Sequence, residues 1–327
     1  MNLIRYFKTG IIFIIQSPYV FIKYFFIGIK SLLITFPLAI IEKIKNIIKK
    51  EHSPKKIFSL SIITLSLATY LICIFILTRW YVQTERNKKF INSLTEQSTL
   101  ITEEINSTNE YTDTNGSIID TNNNSNNTNN FSTYTPSFIN INLDYYINKN
   151  EETVGWIKID DTKINYPIVQ HQDNTYYLEH DFYNKKTSIG WIFSDYRNDF
   201  DTFNNNTIIY GHNLIDYYMF GSLPTFLNKS WLNNPKQHYI KISTKNSNSI
   251  WQIFSVYKIE PTTNYLQTKF YSMETYQSFL DTIKNRSAHQ LDVNVEATDK
   301  ILTLSTCDNT GKKRVAIHAK LIQIKDK

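Results

Sequence analysis

The sequence predicts a mainly β domain, a mostly antiparallel barrel or sandwich with inserted helices, carried on a membrane-spanning helix. Three observations predict this: eight short strand-like runs in the C-terminal part, one long uncharged run, and an Asn-, Ser- and Thr-rich stretch between them. They divide the 327 residues into an apolar basic extension, a membrane helix, a linker and a folded domain, at residues 1–56, 57–79, 80–136 and 137–327.

The positive charge of the chain is concentrated at its N-terminus. The formal net charge is +6, but residues 1–56 contain ten Lys and Arg against two Asp and Glu, whereas residues 137–327 contain 21 against 20. A nearly neutral domain excludes a basic nucleic-acid-binding face. With two cysteines in the whole chain, a disulfide framework and a cysteine-rich zinc module are excluded as well. We therefore expect no metal and no other cofactor.

Residues 57–78 form an uncharged run of 22 residues, IFSLSIITLSLATYLICIFILT. As a helix this run is about 33 Å long, enough to cross the hydrocarbon core of a bilayer. Arg79, Trp80 and Tyr81 follow it, as is typical where a helix leaves the membrane. Because basic segments stay in the cytoplasm, we expect a single-pass protein of the cell membrane with a cytoplasmic N-terminus and an extracellular C-terminal domain.

Residues 10–41 are also apolar, but charges and prolines interrupt them, and no uncharged piece is long enough to span a bilayer. We interpret them as amphipathic helices that lie on membrane lipid at the inner face. A re-entrant or hairpin insertion is the alternative. A second span in this segment would reverse the orientation of the domain.

The linker over residues 80–136 has TNNNSNNTNNFSTYT at its centre. So few apolar side chains cannot offset the entropy lost on ordering, which predicts a disordered tether. Its first part, up to about Ile105, is expected to continue the membrane helix.

The folded domain contains eight runs with the β-branched and aromatic composition of strands. They are, in order, VGWIKI, INYPIVQ, IGWIF, TIIYGHN, YIKIS, IWQIFSVYKI, KILTLSTC and RVAIHAKLIQI. A short helix in NINLDYYINKN precedes them. An amphipathic helix over residues 272–286 separates the sixth and seventh runs, with Ser272 as its N-cap and an apolar face formed by Tyr276, Phe279, Leu280 and Ile283. Another helix is expected after His212, with an apolar set of Phe220, Leu223, Phe226 and Leu227.

Cys307 is the one cysteine outside the membrane run, at the end of the strand TLSTC. Alternation along the strand puts Leu302 and Leu304 on one face, and Ser305 and Cys307 on the other. A structural cysteine would fit better on the apolar face. Cys307 is therefore a candidate nucleophile, and an inert cysteine remains the alternative.

Arg314 opens the next strand, beyond the short loop DNTGKK. Two strands joined by such a loop can pair as a hairpin, which brings Arg314 next to Cys307. A lone arginine at the start of a strand is usually solvated. Its pairing with Cys307 is what favours a role in a site.

His212 is the candidate partner of the thiol. A cysteine needs a neighbouring base to ionise near neutral pH, and imidazole is the usual one. His212 ends an apolar strand, where a rigid scaffold can position it. His318 is the main alternative, because it lies on Arg314's side of its strand. His238 and His289 are expected to be exposed.

These residues, in this order, resemble a sortase of class B. The resemblance covers residues 139–327 and rests on VGWIKI, INYPIVQ, YYLEHDFY, GWIFSDYRN, the YGHN around His212, and TLSTC followed by Arg314. The helix over residues 272–286 is the insertion that marks class B within this family.

The resemblance implies an eight-stranded sortase-type β-barrel and a membrane-anchored cysteine transpeptidase. Cys307 would attack the Thr carbonyl of a sorting signal in a surface protein, NPxTx- or LPxTG-like, and form a thioester. His212 would act as acid and base, and Arg314 would bind the substrate and the developing oxyanion. An amine of a peptidoglycan precursor, or a pilin lysine, would resolve the acyl-enzyme. Tyr265, Leu266 and Ser305 would contact the substrate.

Two other classes remain as alternatives. A wall-acting cysteine L,D-transpeptidase or hydrolase shares the Cys and His pair, but its Cys-to-Arg spacing is shorter. A non-catalytic, membrane-tethered surface binding module has no use for the set of Cys307, His212 and Arg314. An unreactive Cys307 would favour that module.

Overall fold

The structure of the chain is a computed structural model that describes residues 54–109, 134–307 and 312–327. The chain divides into two compact units, Met1–Arg86 and Asn87–Lys327. The predicted membrane-surface helices of residues 10–41 lie outside the described residues, as does the centre of the predicted linker.

Helix α1, Pro54–Asn109, contains the predicted membrane run. Its apolar side chains are exposed along the run, with Phe58, Leu65 and Phe75 between 60% and 69% exposed. Hydroxyls in the run bond back to carbonyls one turn earlier, as Thr78 does to Ile74, so they need no water. Among the described helices this is the one that is long and apolar enough to cross a membrane, with a mean hydropathy of 2.2.

Eight strands form a closed barrel in the second unit, in the order β1-β2-β3-β4-β7-β8-β6-β5. The strands are β1 Thr153–Lys158, β2 Asn165–Val169, β3 Phe193–Ser194, β4 Asn206–Tyr210, β5 Tyr239–Ser243, β6 Ser247–Ile259, β7 Ile301–Cys307 and β8 Arg314–Asp326. Two neighbouring pairs are parallel, β2 with β3 and β4 with β7, and the other pairs are antiparallel. The predicted mainly antiparallel barrel is therefore confirmed.

The third predicted run matches its strand least well. Only Phe193 of the run IGWIF lies in β3. Trp191 and Ile192 are fully buried, but the amide of Trp191 donates to the carbonyl of Tyr177, outside the sheet. The apolar composition of this run therefore marks a buried segment, and only its last residue pairs with a neighbouring strand.

The alternation of β7 and β8 separates two apolar clusters. Leu302, Leu304, Val315 and Ile317 belong to the large cluster that fills the barrel. On the opposite face, Ile301 and Ala316 belong to a second cluster. Its buried members are Phe254, Tyr257, Tyr265, Tyr276, Phe279, Leu280, Ile283, Val295, Ile301 and Ala316. The outer face of the hairpin is therefore covered rather than solvated.

Two α-helices flank the sheet. Helix α2, Leu143–Ile147, is the predicted short helix before β1, with Asn142 as its N-cap. Helix α3, Met273–Asn285, covers the second cluster, and Ser272 caps it in a reciprocal capping box with Thr275. Its predicted apolar face is buried. Both predicted helices are thus confirmed.

The helix predicted after His212 is wrong in type. Residues 215–217 and 223–227 form short 3-10 helices, and the structure has no α-helix in this part. Phe220, Leu223 and Phe226 are fully buried at a spacing of three residues. That spacing matches the three residues per turn of a 3-10 helix, which keeps these side chains on one side.

Two pieces of the predicted linker contact the barrel. Ile91 and Leu94 of α1 are each 2% exposed and join the core cluster. Lys88 forms an ion pair of 2.6 Å with Asp216, and Tyr134 donates a hydrogen bond of 2.7 Å to Asp160. The compact unit that holds the barrel thus begins at Asn87, ahead of the predicted boundary at residue 137.

Candidate active site

Cys307 and Arg314 are direct partners in the ladder between β7 and β8. They are the last pair before the loop of the hairpin, as predicted from the spacing. Directly opposite positions in an antiparallel pair share one face of the sheet. Arg314 is half-buried, and the side chain of Cys307 lies outside the described part of the structure.

A groove of about 520 Å³ runs past this end of the hairpin. Arg314 lines it, as does Thr306, the residue before Cys307. The groove is lined by residues of β3, β4, β7 and β8 and of the segments after β2, β4 and β6: Asn174, Leu178, Phe193, Tyr210, Gly211, His212, Pro261, Thr262, Thr263, Tyr265, Leu266, Ser305, Thr306 and Arg314. The structure therefore brings the predicted residues His212, Arg314, Tyr265, Leu266 and Ser305 to one site.

His212 follows the end of β4, and a hydrogen bond to the segment between β2 and β3 fixes its ring. The Nε2 atom lies 2.8 Å from the carbonyl oxygen of Leu178. A carbonyl can only accept, so Nε2 carries the hydrogen, and Nδ1 holds the lone pair in the neutral ring. Gly190 lies against the same edge of the ring at a φ of +56°, where an added Cβ would be 2.6 Å from Cδ2 and 2.8 Å from Nε2 of His212. Glycine is thus needed there to leave room for the imidazole.

The alternative histidine, His318, has a structural environment. It is fully buried, with Nε2 at 2.9 Å from the Tyr257 hydroxyl and Nδ1 at 2.8 Å from Oγ1 of Thr303. Thr303 donates its hydrogen to Asn206, so Nδ1 of His318 is the donor to Thr303, and Nε2 accepts from Tyr257. Burial lowers the pKa of His318 to about 3. With both nitrogens engaged inside the fold, His318 is not placed to exchange a proton with a substrate.

Tyr265 and Ser305 meet at the base of the groove. The Tyr265 hydroxyl lies 2.9 Å from Oγ of Ser305, and both side chains are buried. Asn206 donates its amide hydrogens to the carbonyls of Tyr265 and Gln267, at 3.4 Å and 2.9 Å. The loop after β6, which walls the groove with Leu266, is therefore fixed by its backbone. Substrate binding by these residues stays a prediction.

Asp195 is a fully buried carboxylate next to the groove. Burial acts to raise its pKa, but hydrogen bonds from Arg197 and Tyr210 outweigh burial and hold the pKa below its usual range. Tyr210 lines the groove, and its own pKa is raised by burial and by the Asp195 charge. Asp195 is thus an ionised acceptor at neutral pH.

Among the described residues, no group of three or more His, Cys, Asp and Glu side chains is arranged to hold a metal ion.

His289, expected to be exposed, is 7% exposed, and its Nε2 lies 2.7 Å from the carbonyl of Phe226. His238 is half-buried, and burial lowers its pKa. Both pack on Trp231.

Several groove residues were not singled out from the sequence. Asn174 lies in the loop after β2, and residues 261–263 lie in the loop after β6. Loop residues of this kind carry no periodicity that marks them. Leu178 and Tyr210 fall inside motifs of the resemblance, YYLEHDFY and the strand before His212, which is the one indication the sequence offers.

Comparison with known proteins identifies the family. Residues 157–322 match the model of the sortase domain. Sortase B of Staphylococcus aureus is 39% identical over 178 residues, which are 54% of this chain and 72% of that protein. Sortase B of Listeria monocytogenes is 40% identical over 177 residues, which are 53% of this chain and 71% of that protein.

Solved structures show the same likeness. A Staphylococcus aureus sortase B–substrate complex aligns with a TM-score of 0.52 and 38% identity, over 55% of this chain and 84% of that one. A Bacillus anthracis protein similar to sortase B aligns with a TM-score of 0.51 and 41% identity, over 57% and 83%. These matches identify the chain as a cysteine transpeptidase. The chain belongs to the sortase family, in class B.

Proposed function

We propose that this protein cleaves a C-terminal sorting signal after Thr and joins the surface protein to an amine, through a thioester on Cys307. The observation that carries the proposal is the pairing of Cys307 with Arg314 at the edge of the groove that His212 also lines. A Staphylococcus aureus sortase B solved as a substrate complex shares this fold, which supports substrate binding by this domain.

Acylation requires the thiolate of Cys307 and a proton donor for the leaving group. The sulfur attacks the Thr carbonyl carbon, and the S–C bond forms while the C–N bond breaks. The leaving amine takes its proton from His212. Since Nε2 of His212 is held by the carbonyl of Leu178, Nδ1 is the atom that exchanges this proton.

Deacylation runs through the same groups. An incoming primary amine, from a peptidoglycan precursor or a pilin lysine, attacks the thioester and gives a proton to His212. The thiolate of Cys307 leaves, and a new amide bond remains. In both steps Arg314 donates hydrogen bonds to the substrate and to the carbonyl oxygen as it gains charge.

The peptide lies in the groove walled by Leu178, Tyr265 and Leu266 in this proposal, with Ser305 at its base. NPxTx-like signals are proposed first, because the resemblance to class B implies them, and LPxTG-like signals are the alternative. The apolar lining suits the proline position that both sequences share.

The proposed location is the cell membrane, with α1 as a single span, the N-terminus in the cytoplasm and the barrel outside. The exposed apolar side chains of α1 support the membrane span. The excess of basic residues in 1–56 supports the orientation. Its test is labelling of intact cells with a membrane-impermeant thiol reagent in a Cys73→Ala background. Labelling of Cys307 supports an external barrel, and labelling only after the cells are broken contradicts it.

The test of the reaction uses the full chain in detergent micelles. It is mixed with NPxTx- and LPxTG-type peptides and a small primary amine, and the products are separated by mass. We expect one class of peptide to be cleaved after Thr and joined to the amine, with no product from Cys307→Ala. If no peptide reacts and a thiol reagent also fails to label Cys307, the protein is better described as a tethered binding module.

A further inference from the structure

The Asp195 carboxylate accepts five hydrogen bonds, three from Arg197 and two from residues that line the groove. Oδ1 accepts from the backbone N and the Nε of Arg197, at 3.0 Å and 2.8 Å. Oδ2 accepts from Nη2 of Arg197 at 2.7 Å, and from the hydroxyl of Tyr210 and Nδ2 of Asn174, both at 2.9 Å. Asp195 itself is fully buried, which strengthens each of these contacts.

The partners of this carboxylate lie on three separate walls of the groove. Asn174 belongs to the loop after β2, and Tyr210 ends β4 two residues before His212. Arg197 reaches the third wall, because its Nη2 also donates to the carbonyl of Leu266 at 3.1 Å. Asn174, Tyr210 and Leu266 all line the groove.

The third wall is held from two sides. The carbonyls of Tyr265 and Gln267 accept from Asn206, and the carbonyl of Leu266 between them accepts from Arg197. Three successive carbonyls of one loop are therefore bonded to the barrel. A loop fixed in this way keeps its groove-lining side chains in place before a ligand arrives, which lowers the entropy cost of binding.

We propose that Asp195 and Arg197 are positioning residues that set the width of the substrate groove by tying its three walls to one ion pair, in which the carboxylate is buried and the guanidinium is partly exposed. This inference rests on the proposed function and concerns the affinity for the peptide rather than the chemistry at Cys307. An ion pair with one partly exposed partner often adds little net stability. Its geometry, which reaches a groove-lining residue on each of the three walls, fits a role in recognition.

The test compares Arg197→Ala with the wild-type full chain in detergent micelles. Arg197 is 38% exposed, so this variant leaves no large cavity. We expect KM for the sorting-signal peptide to rise about tenfold, as for the loss of charge-assisted hydrogen bonds, while kcat changes less than twofold. The rate of Cys307 alkylation by a small reagent should stay at the wild-type value.

Asp195→Asn provides a second variant. The variant replaces one carboxylate oxygen by an NH2 group, which cannot accept a hydrogen bond. At least one of the bonds from Arg197, Tyr210 and Asn174 is therefore lost. We expect the same rise in KM. Arg197→Lys keeps the charge but lacks the planar guanidinium group that binds Asp195 and Leu266 at the same time. This variant should recover little of the affinity for the peptide.

The matched control is Asp160→Asn. Asp160 also pairs with a buried cation, Lys241, at 2.6 Å, but neither residue lines the groove. This variant should lower the melting temperature and leave KM unchanged. An equal rise in KM in Asp160→Asn, or an unchanged KM in Arg197→Ala, would overturn the proposal.

Hydrogen exchange of the backbone separates this inference from the proposed function. Amides of residues 262–268 should exchange faster in Arg197→Ala than in the wild-type chain, while those of β5 are unaffected. This readout needs no substrate. If the wild-type protein turns over no peptide, the proposed function fails, and unchanged exchange in this loop would independently overturn the positioning role.

Discussion

Cys307 and Arg314 face each other as the last pair of the β7–β8 ladder, one ending its strand and the other beginning it. The pairing ties the candidate nucleophile to the candidate oxyanion donor through the register of the sheet. That register is set by the alternating burial of Leu304 and Ile317, which lie opposite each other inside the barrel. A slip by one residue would turn the apolar set outward, so the core itself keeps the site in place.

Replacement of Arg314 should reduce catalysis without unfolding the barrel. Arg314→Ala removes donors to the substrate carbonyl, and we expect kcat to fall by about a hundredfold to a thousandfold. Arg314→Lys should rescue it poorly, because an ammonium group lacks the planar fork. The measurement is peptide turnover together with the melting temperature. A turnover loss under threefold with Arg314→Ala would contradict the assigned role.

Gly190→Ala should disturb His212. The added Cβ would lie 2.6 Å from the His212 ring and 2.6 Å from the carbonyl of Tyr177, in a backbone conformation unfavourable to alanine. We expect a lower melting temperature and a fall in kcat of about tenfold or more. The double variant Gly190→Ala, His212→Ala should recover part of the stability, since the ring that clashes is gone. Strict additivity of the two stability losses would count against this contact.

Stability should depend on pH through His318. Its pKa is about 3 in the folded protein and about 6.5 in an unfolded chain, so the unfolded state binds more protons below pH 6.5. The free energy of unfolding should therefore decrease as the pH falls from 6.5 towards 3, by about 1.4 kcal/mol for each pH unit from this group. Burial lowers the pKa of His238 too, which adds a loss in the same direction.

The matched variant for that measurement is His318→Gln, which can still bond to Tyr257 and Thr303. Denaturant unfolding from pH 7 to pH 5 should show a shallower decline for the variant than for the wild-type protein. Parallel curves for the two proteins would show that His318 does not contribute to the acid sensitivity.

The end of α1 that packs on the barrel should contribute to its stability. Leu94 is 2% exposed in the core cluster, so Leu94→Ala should cost about 2–5 kcal/mol. Ser93 is exposed on the same turn, and Ser93→Ala should change the free energy of unfolding by less than about 0.5 kcal/mol. Equal effects of the two changes, measured by denaturant unfolding, would contradict the packing of this segment.

Much of the fold follows from local patterns. The period of two in β7 and β8 separates the barrel interior from the outer face, and the 3.6-residue period of α3 predicts its buried side. The same rules place Arg314 next to Cys307. These elements are set by burial of their own side chains, which is what sequence patterns report.

Other features depend on distant partners and leave no periodic trace. His289 is a polar residue in a loop, yet it is buried. The distant carbonyl of Phe226 accepts its hydrogen bond and so makes this burial possible. Asp195 and Arg197 appear in the sequence only within the motif GWIFSDYRN, and the closed barrel shows that they reach Tyr210 and Leu266. The packing of Ile91 on the barrel is hidden by the polar composition around it.

The most direct test of the proposed chemistry is the mass of the acyl-enzyme. The full chain would be mixed with the preferred sorting-signal peptide without an amine and quenched in acid, and the fragment that contains Cys307 would be weighed. The account predicts an added mass equal to the peptide up to its Thr less one water, released by hydroxylamine and absent in Cys307→Ala. Cleavage of the peptide that persists in Cys307→Ala, or an adduct on another residue, would contradict it.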